Sequence, residues 1–152
     1  MGTFVDKEIA FVHAVKLVSQ TYSPGVTERF VFGSKIEDKK NCFDGNFFVC
    51  PSSGVYAINI SIMTDRLDWA ANGYLRVRWV EDDTIRFRNY KATPSLAAEP
   101  MAITLSATAR ITQKKRCWVE VTTDRGQSRT VTFGSGDENF LTICKILPPY
   151  NL

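Results

Sequence analysis

The chain has 152 residues, of which 44% are hydrophobic and 23% are charged, and its formal net charge is +3. These values are ordinary for one globular domain that buries its own core, and they argue against intrinsic disorder. A charge of +3 does not by itself indicate a nucleic-acid partner, because such binding requires clustered lysine and arginine residues. No apolar run reaches the roughly 18 residues of a membrane-spanning helix, so we expect no membrane insertion.

The pattern of apolar and polar residues predicts short β-strands over most of the chain. Apolar and β-branched residues alternate with polar ones, which is the period-two pattern of strands that bury one face. In chain order, the predicted strands are residues 4–20, 28–36, 47–50, 55–63, 74–80, 84–90, 101–111, 117–123, 128–133 and 140–147.

Turns rich in glycine, proline and charged residues separate these strands. They are residues 23–25, 37–41, 44–46, 51–54, 81–83, 113–116, 124–127 and 134–137, with longer connections at 64–73 and 91–100. No segment has the period of an amphipathic helix. The sequence therefore predicts a single all-β domain over residues 1–152, with about eight to ten strands in a sandwich or barrel. We expect residues 1–10 and 148–152 to be an arm and a tail that dock onto a partner.

Three predicted strands lack a clearly polar face that would be exposed to solvent. Residues 55–63, 101–109 and 140–147 carry mostly apolar or small side chains on both faces, whereas an antiparallel strand commonly presents one polar face to solvent. If they share one sheet, one face lines the core and the other most simply meets further copies of the chain. The predicted subunit interface consists of Tyr56, Ala57, Asn59, Ser61, Thr104, Ser106, Phe140 and Thr142. The alternative is that the small polar residues among them face solvent.

Four arginines alternate with apolar residues in the hairpin that residues 81–83 close. Pairing of its strands places all four guanidinium groups on one face, where like charges opposite one another destabilise a sheet. We therefore predict a partner-binding site formed by Arg76, Arg78, Arg86 and Arg88. Its partner is an acidic protein surface, a sialylated or sulfated glycan, or the carboxylates of a neighbouring subunit. The alternative is a solvated face neutralised by Glu28 or Glu120. Nucleic acid is not expected, because no aromatic stacking platform interleaves with these arginines.

The sequence contains no recognisable catalytic or metal-binding pattern. His13 is the only histidine and lies in no catalytic motif, and the adjacent Asp82 and Asp83 cannot form an acid–base pair. The four cysteines include no C-x-x-C pair, so we expect buried thiols, with a disulfide between Cys42 and Cys50 left open. We therefore expect no enzyme activity, no cofactor and no metal site.

Three segments resemble the globular head of the complement C1q family. Residues 10–15 (AFVHAV) resemble its opening strand, and residues 139–146 (NFLTICKI) resemble its closing strand. Residues 46–56 (NFFVCPSSGVY) are similar to its G-x-F-x-C-x-x-x-G-x-Y signature, with Asn46 in place of the first glycine. The likeness extends over residues 10–147 and includes no collagen stalk.

The resemblance implies a ten-stranded jelly roll, the fold that this family shares with tumour necrosis factor, and a homotrimer. Because the sequence shows neither a stalk nor a secretion signal, we expect a non-enzymatic structural or binding protein on a virion surface. A phage capsid decoration (cement) protein or a fibre-tip head fits this description, with the capsid or fibre as the larger assembly. The alternative is a secreted or cell-surface C1q-like module, located outside the cell, that binds a receptor or a glycan.

Overall fold

The computed structural model describes residues 10–92, 97–126, 130–134 and 136–146, apart from the side chains of Ala97 and Asp137. Within these residues every regular element is a β-strand. The strands are β1 (Phe11–Lys16), β2 (Gln20–Tyr22), β3 (Thr27–Arg29), β4 (Gly33–Asp38), β5 (Phe48–Val49), β6 (Gly54–Met63), β7 (Leu67–Trp69), β8 (Tyr74–Glu81), β9 (Thr84–Ala92), β10 (Ala97–Glu99), β11 (Ala102–Ile111), β12 (Arg116–Asp124), β13 (Val131–Phe133) and β14 (Gly136–Ile146).

The strands form two main antiparallel sheets that enclose one core. Sheet I has the order β11-β6-β14-β1-β4, and sheet II has the order β3-β12-β8-β9, with β5 also paired to β12. Two short ribbons, β10–β7 and β13–β2, complete the described strands. Buried apolar side chains from both sheets belong to a single hydrophobic core. This is the all-β architecture that the sequence predicts.

Strand β6 is paired along nearly its whole length on both sides. Its Ile60 lies opposite Leu105 of β11 and Leu141 of β14. Ile58 and Ile62 are buried with Ile60, because successive side chains of a strand point to opposite faces and alternate ones reach the core. The three strands that lack a clearly polar face are therefore neighbours in sheet I, which meets the condition set for an outward contact between copies of the chain.

The predicted strand at residues 28–36 is wrong in its middle. β3 pairs with β12 in sheet II, whereas β4 pairs with β1 in sheet I, so the chain crosses from one sheet to the other between them. In this crossing the Phe30 amide donates to Val119 O at 2.8 Å, and the Phe32 amide donates to Gly45 O at 3.0 Å. Both phenyl side chains are buried. In sequence, such a crossing has the same apolar pattern as a continuous strand.

Short strands lie within segments that the sequence assigns to loops. β7 lies within residues 64–73 and β10 within residues 91–100, and these two strands pair with each other. The predicted turn at residues 134–137 is wrong at its end, because β14 begins within it. The predicted first strand, residues 4–20, contains β1 and the start of β2, and residues 1–9 lie outside the described part. Strands of three residues are too short for an alternation to be visible.

The hairpin between β8 and β9 closes through a two-residue turn. Glu81 pairs with Thr84, and Asp82 and Asp83 between them have φ values of +42° and +66°. Both values lie in the left-handed region, which is the geometry of a type I′ turn. The Asp82 carboxylate also accepts a hydrogen bond from the Arg116 backbone amide at 3.0 Å.

Replacing Asp83 with glycine should stabilise the protein, because glycine adopts a positive φ without a clash from Cβ. We expect Asp83→Gly to raise the free energy of unfolding, measured with urea, by about 0.5 kcal/mol. Asp82→Gly is the matched control, since it relieves similar strain but removes the acceptor of the Arg116 amide. A gain from Asp82→Gly as large as that from Asp83→Gly would contradict this explanation.

Lys16, at the end of β1, is buried among neutral partners. The residue is 2% exposed, and its Nζ donates to Gln20 Oε1 at 2.8 Å and to Val31 O at 2.7 Å. The same Nζ lies 4.1 Å from the centre of the Phe30 ring. Because burial disfavours the charged form, the pKa of Lys16 falls from 10.5 to about 8.

The stability of the protein should therefore depend on pH through Lys16. Between pH 8 and 10.5 the unfolded chain keeps the proton that the folded chain has lost. Unfolding then takes up a proton, and the free energy of unfolding rises with pH. We expect wild type to gain on the order of 2 kcal/mol relative to Lys16→Met across this range.

Urea unfolding of both proteins at pH 7, 8.5 and 10 measures this difference. The pKa of Cys42 is raised to about 12 by burial and by Asp38, which lowers stability above the pKa of an ordinary thiol. That effect is common to both proteins and cancels in the comparison. A difference in free energy that stays constant with pH would refute the assignment.

Candidate functional site

The face of sheet I that points away from the core carries most of the predicted subunit interface. Every second residue of β6, β11 and β14 points outward. Two rows of directly opposite residues cross these strands: Ser106, Asn59 and Thr142 in one, and Thr104, Ser61 and Phe140 in the other. Ala57 lies on the same face, so the structure brings seven of the eight predicted residues together.

Tyr56 is the exception, and its prediction as an interface residue is wrong. Even-numbered residues of β6 point into the core, and Tyr56 is fully buried there. Its hydroxyl donates to Ser52 O at 2.6 Å, and its ring lies 5.6 Å from the ring of Phe48. A side chain enclosed within its own domain cannot contact another copy of the chain.

The centre of this outward face has no charged side chain. The outward residues of β6 and of β14 beyond Glu138 are Val55, Ala57, Asn59, Ser61, Met63, Phe140, Thr142, Cys144 and Ile146. Ile146 is 40% exposed, and the nearest charge on β11 is that of Arg110 near the end of the strand. We call this surface of β6, β11 and β14 the uncharged face.

Sheet II presents a different surface on its outer side. One row of opposite residues runs from Arg29 through Glu120 and Arg78 to Arg88, and a second runs from Thr27 through Thr122 and Arg76 to Tyr90. The two rows hold four arginines and a single carboxylate. We call the surface formed by Arg29, Arg76, Arg78, Arg88, Glu120 and Tyr90 the arginine face.

The arginines of this face are crowded and only partly neutralised. Arg78 Nη1 lies 3.9 Å from Glu120 Oε2, and Arg76 Nη2 donates to Thr122 Oγ1 at 3.1 Å. The Nε atoms of Arg76 and Arg78 are buried and have no hydrogen-bond partner. The pKa of Arg78 is lowered by burial and by repulsion from Arg76 and Arg88, which Glu120 only partly offsets. A further negative charge would therefore interact favourably with these arginines.

Arg86 does not belong to the arginine face, and this part of the prediction is wrong. The pairing of β8 with β9 shifts between Trp79 and Val80, so Arg86 is an unpaired residue in a β-bulge. Its Nη1 lies 3.4 Å from Oε2 of Glu81, a buried carboxylate that also accepts the Trp79 indole N–H at 3.3 Å. Arg86 thus neutralises Glu81. The prediction assumed an unbroken alternation that the bulge interrupts.

Aromatic side chains stand beside the arginines, contrary to the sequence-based expectation. Tyr90 lies opposite Arg76, is 57% exposed, and stacks on Tyr74 with ring centres 5.6 Å apart. At the other end of the sheet, the guanidinium groups of Arg29 and Arg116 lie 4.0 and 3.8 Å from the centre of the Phe47 ring.

Arg29 could not be placed on this face from the sequence, because it lies far from the hairpin in the chain. It reaches the arginine face only through the pairing of β3 with β12. Tyr90 was within the predicted hairpin, and its position opposite Arg76 follows from the register. The alternation from Arg88 to Tyr90 therefore indicated that Tyr90 lies on the same face of the sheet.

A depression of about 380 Å³ lies at one side of the arginine face. Its lining residues are Arg76, Arg88, Asn89 and Tyr90. The Asn89 amide donates to Thr104 O of β11 at 2.6 Å, and its Oδ1 accepts the Tyr90 backbone amide at 2.8 Å. These bonds fix β9 beside β11 and hold the depression in shape.

The cysteines and the single histidine pack within the domain and, among the described residues, form no reactive site. Cys42, Cys50 and Cys117 are buried free thiols and Cys144 is half-buried, so Cys42 and Cys50 are not joined. His13 lies opposite Thr142 with its ring edge-on to Phe140. Across the described ranges, no three metal-ligating side chains cluster, and no helix has the length and apolar character to cross a membrane.

No protein-family model and no curated protein matches this chain. Solved structures do match it. Murine APRIL at pH 5.0 is similar with a TM-score of 0.65 and 11% identity, covering 91% of this chain and 100% of that one. Eiger TNF from S. frugiperda has a TM-score of 0.64 and 12% identity, covering 95% and 99% of the two chains. The globular domain of the zebrafish complement 1qA protein has a TM-score of 0.60 and 12% identity, covering 91% and 98%.

Identities this low establish the fold and nothing finer. The matched structures nevertheless span nearly all of both chains, and they include both TNF and C1q domains. This protein therefore has the C1q/TNF-like jelly-roll fold that its sequence motifs predict.

Proposed function

We propose that this protein is a non-enzymatic, homotrimeric binding module whose subunits meet through the uncharged face. The observation that carries the proposal is the absence of charge from the outward side of β6 and from β14 beyond Glu138. An antiparallel sheet that faces water commonly carries charged residues there. An extended surface without charge favours contact with protein, and a copy of the chain is the simplest partner.

The size of the side chains supports the same proposal. Ala57, Ser61, Ser106 and Thr142 are short, so another subunit can approach the backbone of sheet I closely. A homotrimer is what the C1q resemblance implies. It forms a closed ring when the uncharged face of each subunit contacts another surface of the next subunit.

The arginine face supports binding rather than catalysis. Guanidinium groups keep their protons at all physiological pH values, so they recognise anions but do not serve as general acids or bases. The binding role therefore belongs to sheet II, on the opposite side of the sandwich from the proposed subunit contact.

For the biological setting we propose a virion surface, as a capsid decoration (cement) protein or a fibre-tip head. The alternative is a secreted or cell-surface module that binds a receptor or glycan, which the arginine face favours. Of the proposed docking arm, residues 1–10, only Ala10 is described. It is buried, and its carbonyl accepts the Lys145 amide at 2.9 Å, so Ala10 belongs to the domain. The proposed tail, residues 148–152, lies outside the described residues.

The gene neighbourhood distinguishes these settings. We expect the gene to lie among genes for capsid and tail proteins. A longer precursor that begins with a secretion signal would assign the protein to the alternative setting instead.

A charge placed at the centre of the uncharged face should abolish assembly. We expect wild type at micromolar concentration to have three times the chain mass of 17.1 kDa by size exclusion with light scattering. Thr142→Arg should have the mass of one chain, because three buried guanidinium groups without partners would destabilise the contact.

Thr112→Arg is the matched control, since it introduces the same side chain at an exposed loop position after β11. It should remain trimeric. Circular dichroism and thermal unfolding show whether Thr142→Arg is folded. A wild-type protein of single-chain mass would rule out the proposed trimer.

A further inference from the structure

We propose that the arginine face binds an acidic saccharide in the depression lined by Arg76, Arg88, Asn89 and Tyr90. The carboxylate or sulfate group of the sugar pairs with the guanidinium groups, and the sugar ring packs on Tyr90. This inference rests on the proposed binding function and specifies its ligand class. It does not require the trimer, because one chain carries every residue of the site.

The charge of the site calls for an anion. Four guanidinium groups against the single carboxylate of Glu120 leave three uncompensated positive charges in two adjacent rows. Arg78 and Arg88 are directly opposite each other, which destabilises a sheet unless the charges are neutralised. A carboxylate or sulfate accepts paired hydrogen bonds from such groups and removes the repulsion.

Two of the guanidinium groups, those of Arg76 and Arg78, are held in place before a ligand arrives. The side chain of Arg78 is only 18% exposed and is drawn toward Glu120, and Arg76 is hydrogen-bonded to Thr122. Binding therefore orders fewer flexible side chains than it would on a freely solvated lysine surface. The arginine face of a second copy of this chain is not the occupant, because it would bring positive charge against positive charge.

The depression is shallow and open to solvent, with a volume of about 380 Å³. A ligand bound there stays partly exposed, so its recognition depends on the guanidinium groups and on Tyr90. Asn89 is a positioning residue here, since its side chain is engaged with Thr104 and with the Tyr90 amide. It fixes the strand from which Arg88 and Tyr90 project.

The aromatic residues favour a saccharide over single-stranded nucleic acid. Sequence-tolerant binding of nucleic acid uses several exposed rings on which successive bases stack. Among the described aromatic rings on the outer side of sheet II, the half-buried ones are those of Phe47, Trp118 and Tyr74. The ring of Phe47 also lies against Arg29 and Arg116. Tyr90 is the exposed ring beside the depression. One exposed ring next to guanidinium groups fits one sugar ring, whose C–H groups pack on the negative face of the aromatic.

The test uses isothermal titration calorimetry with the full chain at about 150 mM salt, which is close to physiological ionic strength. The probes are α2,8-linked oligosialic acid, dextran sulfate, neutral dextran, and an oligothymidylate matched in charge to the oligosialic acid. We expect binding of oligosialic acid, of dextran sulfate, or of both, and no binding of neutral dextran. The first two probes separate a carboxylated from a sulfated ligand.

Substitutions then locate the site. Arg88→Gln and Tyr90→Ala should each weaken binding of the acidic saccharide at least about tenfold, as expected for a lost charged contact or ring contact. Arg66→Gln is the matched control, since it removes the same charge from an exposed residue outside the arginine face, and its affinity should be that of wild type. Arg88→Lys should bind with intermediate affinity because it keeps the charge but loses the paired geometry.

Three results would overturn the inference: no binding of either acidic saccharide, equal loss of affinity in Arg66→Gln and Arg88→Gln, or tighter binding of oligothymidylate than of both saccharides. Light scattering on the same samples separates this inference from the proposed assembly. A trimer that binds no saccharide overturns the inference alone, whereas a monomer that binds it overturns only the trimer.

Discussion

The pairing of β6 with β11 on one side and β14 on the other is the constraint on which both surfaces of sheet I depend. A slip of one residue would expose Ile58 and Ile60 and bring Asn59 and Ser61 into the core. Exposing an isoleucine forfeits about 1.5–3 kcal/mol, and burying an unpaired amide costs about 1–3 kcal/mol. The register that fills the core therefore also composes the uncharged face, and neither can change alone.

The two outer surfaces of the sandwich differ in the kind of contact they suit. The uncharged face of sheet I is built from short side chains, so it gains from contact with a large complementary surface. The arginine face of sheet II repels a second copy of itself and attracts anions. Because the core separates the two, the proposed subunit contact and the proposed ligand site lie on opposite sides of the sandwich and do not compete.

Local alternation was sufficient to predict the long strands and the side of sheet I that faces outward. The same alternation placed Asn59, Ser61 and Thr142 correctly, since each lies in a regular stretch of strand. The prediction of Tyr56 as an interface residue departed from this alternation, because Tyr56 lies on the core face of β6. That assignment could have been made from the alternation itself, because Tyr56 has the same parity as the buried isoleucines.

The arginine face could be predicted only in part, because its composition depends on irregularities and on distant pairings. A β-bulge moves Arg86 away from the other arginines and toward Glu81. The residues near Arg86 show no pattern from which this bulge could be predicted. Arg29 joins the face through a strand that lies far away in the chain. The crossing of the chain between the sheets after β3 was hidden for the same reason, since buried phenylalanines occur equally in strands and in crossings.

Three of the four cysteines are buried in the core as free thiols. Burial raises the pKa of the Cys50 and Cys117 thiols, and burial together with Asp38 raises that of Cys42 to about 12. Such thiols stay protonated at neutral pH and react slowly, because the thiolate is the reactive form. The core is closed by packing and not by a disulfide. The fold is therefore complete without an oxidation step, since no bond between cysteines is needed to close the core.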